Sequence, residues 1–365
     1  MATRAGRGLI ELIDAGTPAG RDRGIDGLRA IAVLGVVLGH WLVTALVVDG
    51  DAVRVTSPLR YLPQLTPFSW LFQTLAVFFL VGGMVAARSQ AAAGAGGYRT
   101  WLRGRMARLF RPVAVVLLVW GTAAVAMIAG GVPVQTVRAL AGLVWSPLWF
   151  LLVFAVLTAA TPLVVRMRPE WPFAVVLLVD LIRYGLDGPA WLGWVNVLAG
   201  WLVPYCLGAT GTHSRRSGWL MLAGGATATA ALVLWAGYPA SMVGVPGATV
   251  SNLDPPTLAS VTFGLAQCGA AVLLLDPLRR LLRRRPAAWA AVALVNLSAI
   301  TIFLWHQTAM IAVSAVGRAA GGPLPGLHTV PDGLGWVAAR LGWLPVFAVA
   351  LAACWAVVRG RGAIR

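Results

Sequence analysis

Residues 26–41 read DGLRAIAVLGVVLGHW, an apolar run with an arginine at position 29 and a histidine at position 40. The run continues to about position 48. It therefore reaches the roughly 20 residues that a helix needs to cross a hydrocarbon core of about 30 Å. An arginine at the centre of such a helix costs on the order of 2.5–3.5 kcal/mol, so ionisable residues inside a span are functional candidates by default. Eleven steps of ~100° bring Arg29 and His40 back to nearly the same helical face, about 16 Å apart along the axis. Both side chains can thus line one wall of a single cavity. A cation at its mouth suits a phosphorylated ligand, and a neutral imidazole at depth suits a general base. The alternative is that Arg29 reaches back to the lipid headgroups and His40 bonds a neighbouring helix. Spacing alone leaves both open.

Similar runs recur through all 365 residues. Of the chain, 59% is hydrophobic and only 11% charged, against about 25% charged in soluble domains, and the mean hydropathy is +0.80. The fold class expected is all-α: a polytopic membrane protein of about ten helices, near 28–48, 68–87, 113–132, 140–162, 171–187, 190–211, 219–237, 257–275, 289–316 and 336–358. The organisation expected is a tail over residues 1–27, a membrane domain over 28–358 and a tail over 359–365. The first 27 residues are polar and mixed in charge, with no signal-peptide pattern, so the first span itself targets the chain.

A net charge of +17 invites a nucleic-acid reading, but the arginines sit in short loops between the apolar runs. With ten spans, 22 arginines fall on one side and five on the other. That alternation is the positive-inside pattern and places both termini in the cytoplasm. No nucleic-acid partner is expected. Cys206, Cys268 and Cys354 lie inside apolar runs without metal-type spacing and are expected to be free thiols, and no metal is expected.

Other polar residues fall inside spans. His306, in SAITIFLWHQ, suits an interhelical hydrogen bond as well as a catalytic role, while Asn296, Gln307 and Arg340 accompany it on late helices. Asp180 and Arg183 stand three apart and can pair on their own helix. His213 and His328 are expected to be solvated in loops. In YRTWLRGRMARLFRP, Arg105, Arg108 and Arg111 share one helical stripe. That stripe can lie on anionic headgroups or clamp a nucleotide's phosphates, whose oxygens match guanidinium forks.

The chain resembles the membrane acyltransferase 3 family, the ten-helix O-acyltransferases of bacterial envelopes. RGIDGLRAIAVLGVVLGHW is similar to the family's first-helix motif, with an arginine followed after ten residues by a histidine. FFLVGGM at 78–84, RMARLFRP at 105–112, PLWFL at 147–151 and SAITIFLWHQ at 298–307 resemble its later motifs in family order. One departure stands out: the family's second-helix motif usually has a serine where this chain has Gly82.

The resemblance implies transfer of an acyl group, commonly acetyl from acetyl-CoA, to a hydroxyl of an envelope glycan, glycolipid or similar acceptor. It implies that His40 is the essential histidine and that Arg29 belongs to the same motif. It favours Arg105, Arg108 and Arg111 as the acyl-CoA phosphate clamp, with His306 orienting the acceptor or stabilising charge. His40 then acts as general base or carries the acyl group as an acyl-imidazole. Two other classes compete: a transporter or flippase of an anionic lipid or sugar, and a catalytically silent membrane partner.

Overall fold

A computed structural model describes residues 4–50, 52–94, 96–211, 214–245 and 251–362; His213 lies outside them. Asp22 begins the membrane bundle by accepting the backbone N–H groups of Gly24 and Ile25, which caps the helix Arg23–Val43 (α2). Ahead of it, Arg4–Ala15 (α1) turns part of the expected polar tail into a helix. The hydrophobic spacing of Leu9, Leu12 and Ile13 was the available signal. α1 is tied down by an Arg23–Asp14 ion pair of 2.8 Å and by Thr17, whose hydroxyl accepts from the Trp289 indole.

The expected first span, 28–48, stops five residues early. Its last residues leave the helix as strand Ala45–Asp49 (β1), which pairs antiparallel with Ala52–Thr56 (β2), Ala45 opposite Thr56. β-branched residues and a glycine at the first loop position, Gly50 at φ +57°, favour a tight hairpin over further helix. A short helix Pro58–Tyr61 (α3) and a 3₁₀ turn Pro63–Trp70 follow.

The remaining order is Leu75–Ala93 (α4), Tyr98–Ala129 (α5), Val134–Trp145 (α6), Trp149–Ala159 (α7), Thr161–Val164 (α8), Glu170–Asp180 (α9), Val195–Thr210 (α10), Arg215–Trp235 (α11), Leu258–Arg284 (α12), Pro286–Ala319 (α13) and Leu334–Gly362 (α14). The expected fourth span is broken at Ser146-Pro147 into α6 and α7. Among the described residues, nine helical segments are long and apolar enough to cross a membrane. The chain is thus an all-α polytopic membrane protein.

The fifth expected span, 171–187, is shorter than read: α9 continues only through a π-helical turn, Leu181–Gly185. It still runs from one face to the other. Near its start, the Cys206 thiol points at the carbonyls of Val164 and Met167. At its end, Asp180 accepts from the Leu258 N–H at the start of α12. The expected Asp180–Arg183 pair is not what forms. Asp180 instead accepts hydrogen bonds from Asn196, Tyr238 and Leu258, while the Arg183 guanidinium lies over the Tyr184 ring. Partners on three other elements outcompete a neighbour on a helix whose last turn is widened.

Helices in lipid gain no hydrophobic drive toward each other, so small residues that admit close approach matter most. α4 and α10 meet this way. A Cβ at Gly83 would overlap the Tyr205 carbonyl, and one at Gly208 would overlap the Leu80 carbonyl. The centre of the bundle is aromatic, with Phe79 stacked on Trp201 and Phe150 edge-on to Phe303 at 4.6 Å. α5, α11 and α14 leave apolar side chains such as Leu118, Leu234 and Val349 exposed, as lipid-facing helices do.

Two faces result. One gathers the start of α2, the ends of α4, α7 and α12 and the starts of α5 and α13. It is joined by Arg279 gripping Asp22 with two hydrogen bonds of 3.0 and 2.6 Å. The ion pair with Arg279 and the capping amides together hold the Asp22 carboxyl below its usual pKa, against the effect of burial. This is the arginine-rich face. The opposite face gathers the hairpin and the loops, where Val48 N–H donates to His328 and Trp70 to Ala240. His328 is buried there, not solvated: its Nδ1 accepts from Leu324 N–H and its Nε2 faces the Ser314 carbonyl at 2.7 Å.

Candidate active site

α2 carries both residues of the opening motif through the bundle. Arg29 sits nearly two turns inside the arginine-rich end of the helix, which starts at Arg23, and His40 sits about one turn before it ends at Val43. Two cavities lie along this helix. The inner one, about 280 Å³, is lined by Arg29, Arg105 and Arg108 and by apolar residues of α4, α5, α7 and α13. The outer one, about 500 Å³, is lined by His40. Both are walled by Val36, Leu75, Phe150 and Phe303, so they lie on either side of these shared apolar and aromatic side chains. Arg29 and His40 line the two neighbouring cavities, as their shared helical face allows.

At the inner end the guanidinium groups differ. Arg105 donates to Ser89 at 2.6 Å and to the Val85 carbonyl, and its cation lies 5.3 Å from the Trp101 ring centre. Its buried Nε has no partner among the described residues. The carboxylate nearest Arg29 in sequence, Asp26, is already engaged by Arg21 at 2.6 Å. Arg29 makes no hydrogen bond or ion pair among the described residues. Arg108 lines the cavity, whereas Arg111 is exposed outside its wall. A 100° step per residue carries a stripe spaced at three slowly around the helix, so the third member turns away.

Gly82 also lines the inner cavity, beneath Phe154. A Cβ there would overlap Cε2 of that ring. The absent serine is thus replaced by an aromatic side chain, and the wall carries no hydroxyl at that point.

At the outer end, His40 has its ring centre 5.1 Å from that of His306. His306 lies behind it, 1% exposed and lining neither cavity. His306 Nδ1 is 2.6 Å from the Phe303 carbonyl and must donate to it, which leaves Nε2 with a lone pair, buried without a partner among the described residues. The Gln307 amide reaches His40 Nδ1 at 3.4 Å. Nothing in the sequence signals this contact, because a glutamine gives no sign of which imidazole it will meet. Arg340, 1% exposed, closes this end by donating to the carbonyls of Trp41, Thr44 and Gly326. Among the described residues, no three His, Cys, Asp or Glu side chains gather as a metal site.

The arrangement sets a cationic pocket beside an imidazole-lined cavity, with apolar side chains shared between them. A family model described as an acyltransferase domain matches residues 22–359, nearly the whole chain. No curated protein and no solved structure matches. The match begins at the residue that caps α2 and takes in both cavities. The chain therefore belongs to the membrane acyltransferase 3 family, and it is an acyltransferase that moves groups other than aminoacyl groups.

Proposed function

We propose that this multi-pass membrane protein is an O-acyltransferase of the bacterial plasma membrane. It takes an acyl group, acetyl in the simplest case, from acyl-CoA at its cytoplasmic, arginine-rich face. It delivers that group to a hydroxyl of an envelope glycan, glycolipid or similar acceptor. The observation that carries this reading is that the Arg29 cavity and the His40 cavity are neighbours, sharing Val36, Leu75, Phe150 and Phe303 as walls. Arg29, Arg105 and Arg108 hold the phosphates of CoA. The flexible pantetheine arm passes between the shared walls and presents the thioester at His40. Arg111, outside the wall, serves the surface field that attracts the polyanion.

In the transfer step, His40 Nε2 takes the proton of the acceptor hydroxyl as its oxygen attacks the thioester carbonyl. The C–S bond breaks, the C–O ester bond forms, and the proton passes on to the departing thiolate. This requires the imidazole tautomer with hydrogen on Nδ1 and a lone pair on Nε2. Turning the Gln307 amide by 180° places its oxygen, otherwise buried without a partner, against Nδ1–H. Gln307 is then the positioning residue that fixes the tautomer. Hydrogen bonds to charged groups are worth about 1.5–3 kcal/mol. Gln307→Leu is therefore expected to lower kcat roughly ten- to a hundredfold, with the KM for acyl-CoA unchanged. A KM effect with unchanged kcat would remove Gln307 from this role.

The donor side is tested with Arg29→Gln and Arg108→Gln. Each is expected to raise the KM for acyl-CoA by roughly tenfold, the loss of one charge-assisted contact to phosphate, with kcat nearly retained. Steady-state rates of label transfer from acyl-labelled acetyl-CoA into membranes measure both. Unchanged KM in both variants would place the CoA phosphates elsewhere.

A further inference from the structure

The outer cavity is walled almost wholly by hydrocarbon. Leu59, Leu65, Phe72, Trp149, Val337 and Leu341 set its character, and no acidic side chain among the described residues lines it. Its few polar side chains are largely committed to the protein. Arg340 spends its donors on three backbone carbonyls and the Met310 sulfur. Ser69 donates to Thr66 and accepts from the Met242 N–H. Gln73 gives its side-chain oxygen to the Leu75 N–H. What remains to greet a ligand is His40, with the Gln73 amide NH₂, the Ser146 hydroxyl and the Trp149 indole N–H at scattered points. The rim continues onto apolar side chains that are themselves exposed, Phe68 at 63% and Leu71 at 66%.

A free sugar fits such a site poorly. Each hydroxyl buried without a partner loses its hydration uncompensated, and a hexose brings several. A molecule with one hydroxyl on an extended hydrocarbon skeleton fits well. It removes apolar surface from water along its whole chain and needs one polar contact, which His40 supplies.

We infer that the acceptor hydroxyl is carried by an apolar skeleton, an alcohol-bearing lipid or an apolar small molecule of like chemistry, which enters over Phe68 and Leu71 and points its hydroxyl at His40. This rests on the acyl-transfer reading above. Within the acceptor classes named there, it selects the lipid end over the glycan.

The test uses the full chain in lipid nanodiscs and two readouts. The first is photolabelling with a twelve-carbon primary alcohol that bears a diazirine near its hydroxyl. Cross-links are expected on peptides holding Gly39–Val43 and Trp336–Leu341, competed at least tenfold by unlabelled 1-dodecanol and not by millimolar methyl glucoside. Leu71→Asn and Leu341→Asn, at partly exposed positions that tolerate polar groups, are expected to weaken this labelling several-fold. Labelling confined to lipid-facing helices such as α11, or equal competition by methyl glucoside, would overturn the inference.

The second readout is label transfer from acetyl-CoA to 1-dodecanol and to methyl glucoside, together with His40-dependent release of CoA. At least tenfold preference for the alcohol is expected. Preference for the glucoside alongside His40-dependent CoA release overturns the apolar acceptor and leaves acyl transfer standing. Absence of any His40-dependent CoA release overturns acyl transfer itself, and with it this inference. Transfer to the nanodisc's own hydroxyl-bearing lipids identifies a membrane-resident source, and transfer to added alcohol alone identifies a diffusing one; either supports the inference.

Discussion

His40→Ala is expected to reduce acyl transfer at least a thousandfold while the protein still inserts, folds and binds acyl-CoA. General base catalysis contributes about 10²–10⁴ in rate, and this imidazole lines the outer cavity, whose other ionisable side chain among the described residues, Arg340, is a donor only. The loss should fall on chemistry alone. His40 faces the outer cavity, and its recorded hydrogen-bond contact is the long one to Gln307. Truncating it therefore unpairs little of the bundle. In the proposed reading the CoA phosphates bind the arginines of the inner cavity, on the other side of the Phe150–Phe303 pair. The measurement is the initial rate of label transfer at matched membrane levels, with equilibrium binding of acyl-CoA measured beside it. Transfer within threefold of wild type would move the chemistry to another group. Lost binding together with lost transfer would mean that His40 holds the bundle and does not act on the hydroxyl.

His306 would not substitute for it. Its lone pair at Nε2 is buried behind His40 and lines neither cavity. The two histidines are close because α2 and α13 pack side by side, with the Trp41 indole donating to the His306 carbonyl at 2.9 Å. That contact lies 265 positions apart in the chain. No periodicity within either helix could announce it.

The same boundary separates what the sequence made legible from what it did not. Apolar runs of span length gave the helices, because each run alone decides whether it can sit in hydrocarbon. The shared face of Arg29 and His40 followed from helical pitch, which is also local. Where a run continued past its helix, hydropathy was blind: Ala45–Asp49 is as apolar as the span before it, yet pairs as a strand. The glycine just after it, Gly50, is the signal that could separate them. His328 and Asp180 were misjudged for the converse reason. His328 lies in a Gly/Pro-rich stretch and Asp180 in an apolar run, but their partners come from Ser314 and Leu324 in one case and from Asn196, Tyr238 and Leu258 in the other. The cavity's composition is likewise a property of assembly. Phe68, Trp149, Val243 and Leu341 belong to four separate segments and become one wall only when the outer loops fold over the end of α2.

Arg340→Leu is expected to be the most damaging substitution outside the chemistry. A helix leaves its last carbonyls without intrahelical partners, and the negative end of its dipole favours a cation. α2 ends at Val43 with Arg340 meeting both needs: Nε donates to Trp41 O at 2.7 Å and Nη2 to Thr44 O at 2.6 Å. Nη1 donates to Gly326 O at 2.8 Å, and the cation lies 4.8 Å from the Phe347 ring centre. Leucine fills part of the volume but leaves three buried carbonyls bare, at about 1–3 kcal/mol each. That sum is comparable with a total stability of about 5–15 kcal/mol. The expected result is a large fall in folded yield and in thermal midpoint, read by fluorescence-detected chromatography of heated membranes. Arg340→Lys separates folding from function. It keeps the charge at the end of α2, but an ammonium cannot span three carbonyls held by a planar fork. Lysine should recover much of the yield while transfer stays at least tenfold down with acyl-CoA binding unchanged, because the turn that carries His40 is no longer held in place. If leucine at 340 melts with the wild type, those carbonyls find other partners and Arg340 does not clamp the active-site turn. If lysine restores transfer along with yield, the charge at the helix end is what matters and the fork geometry is not.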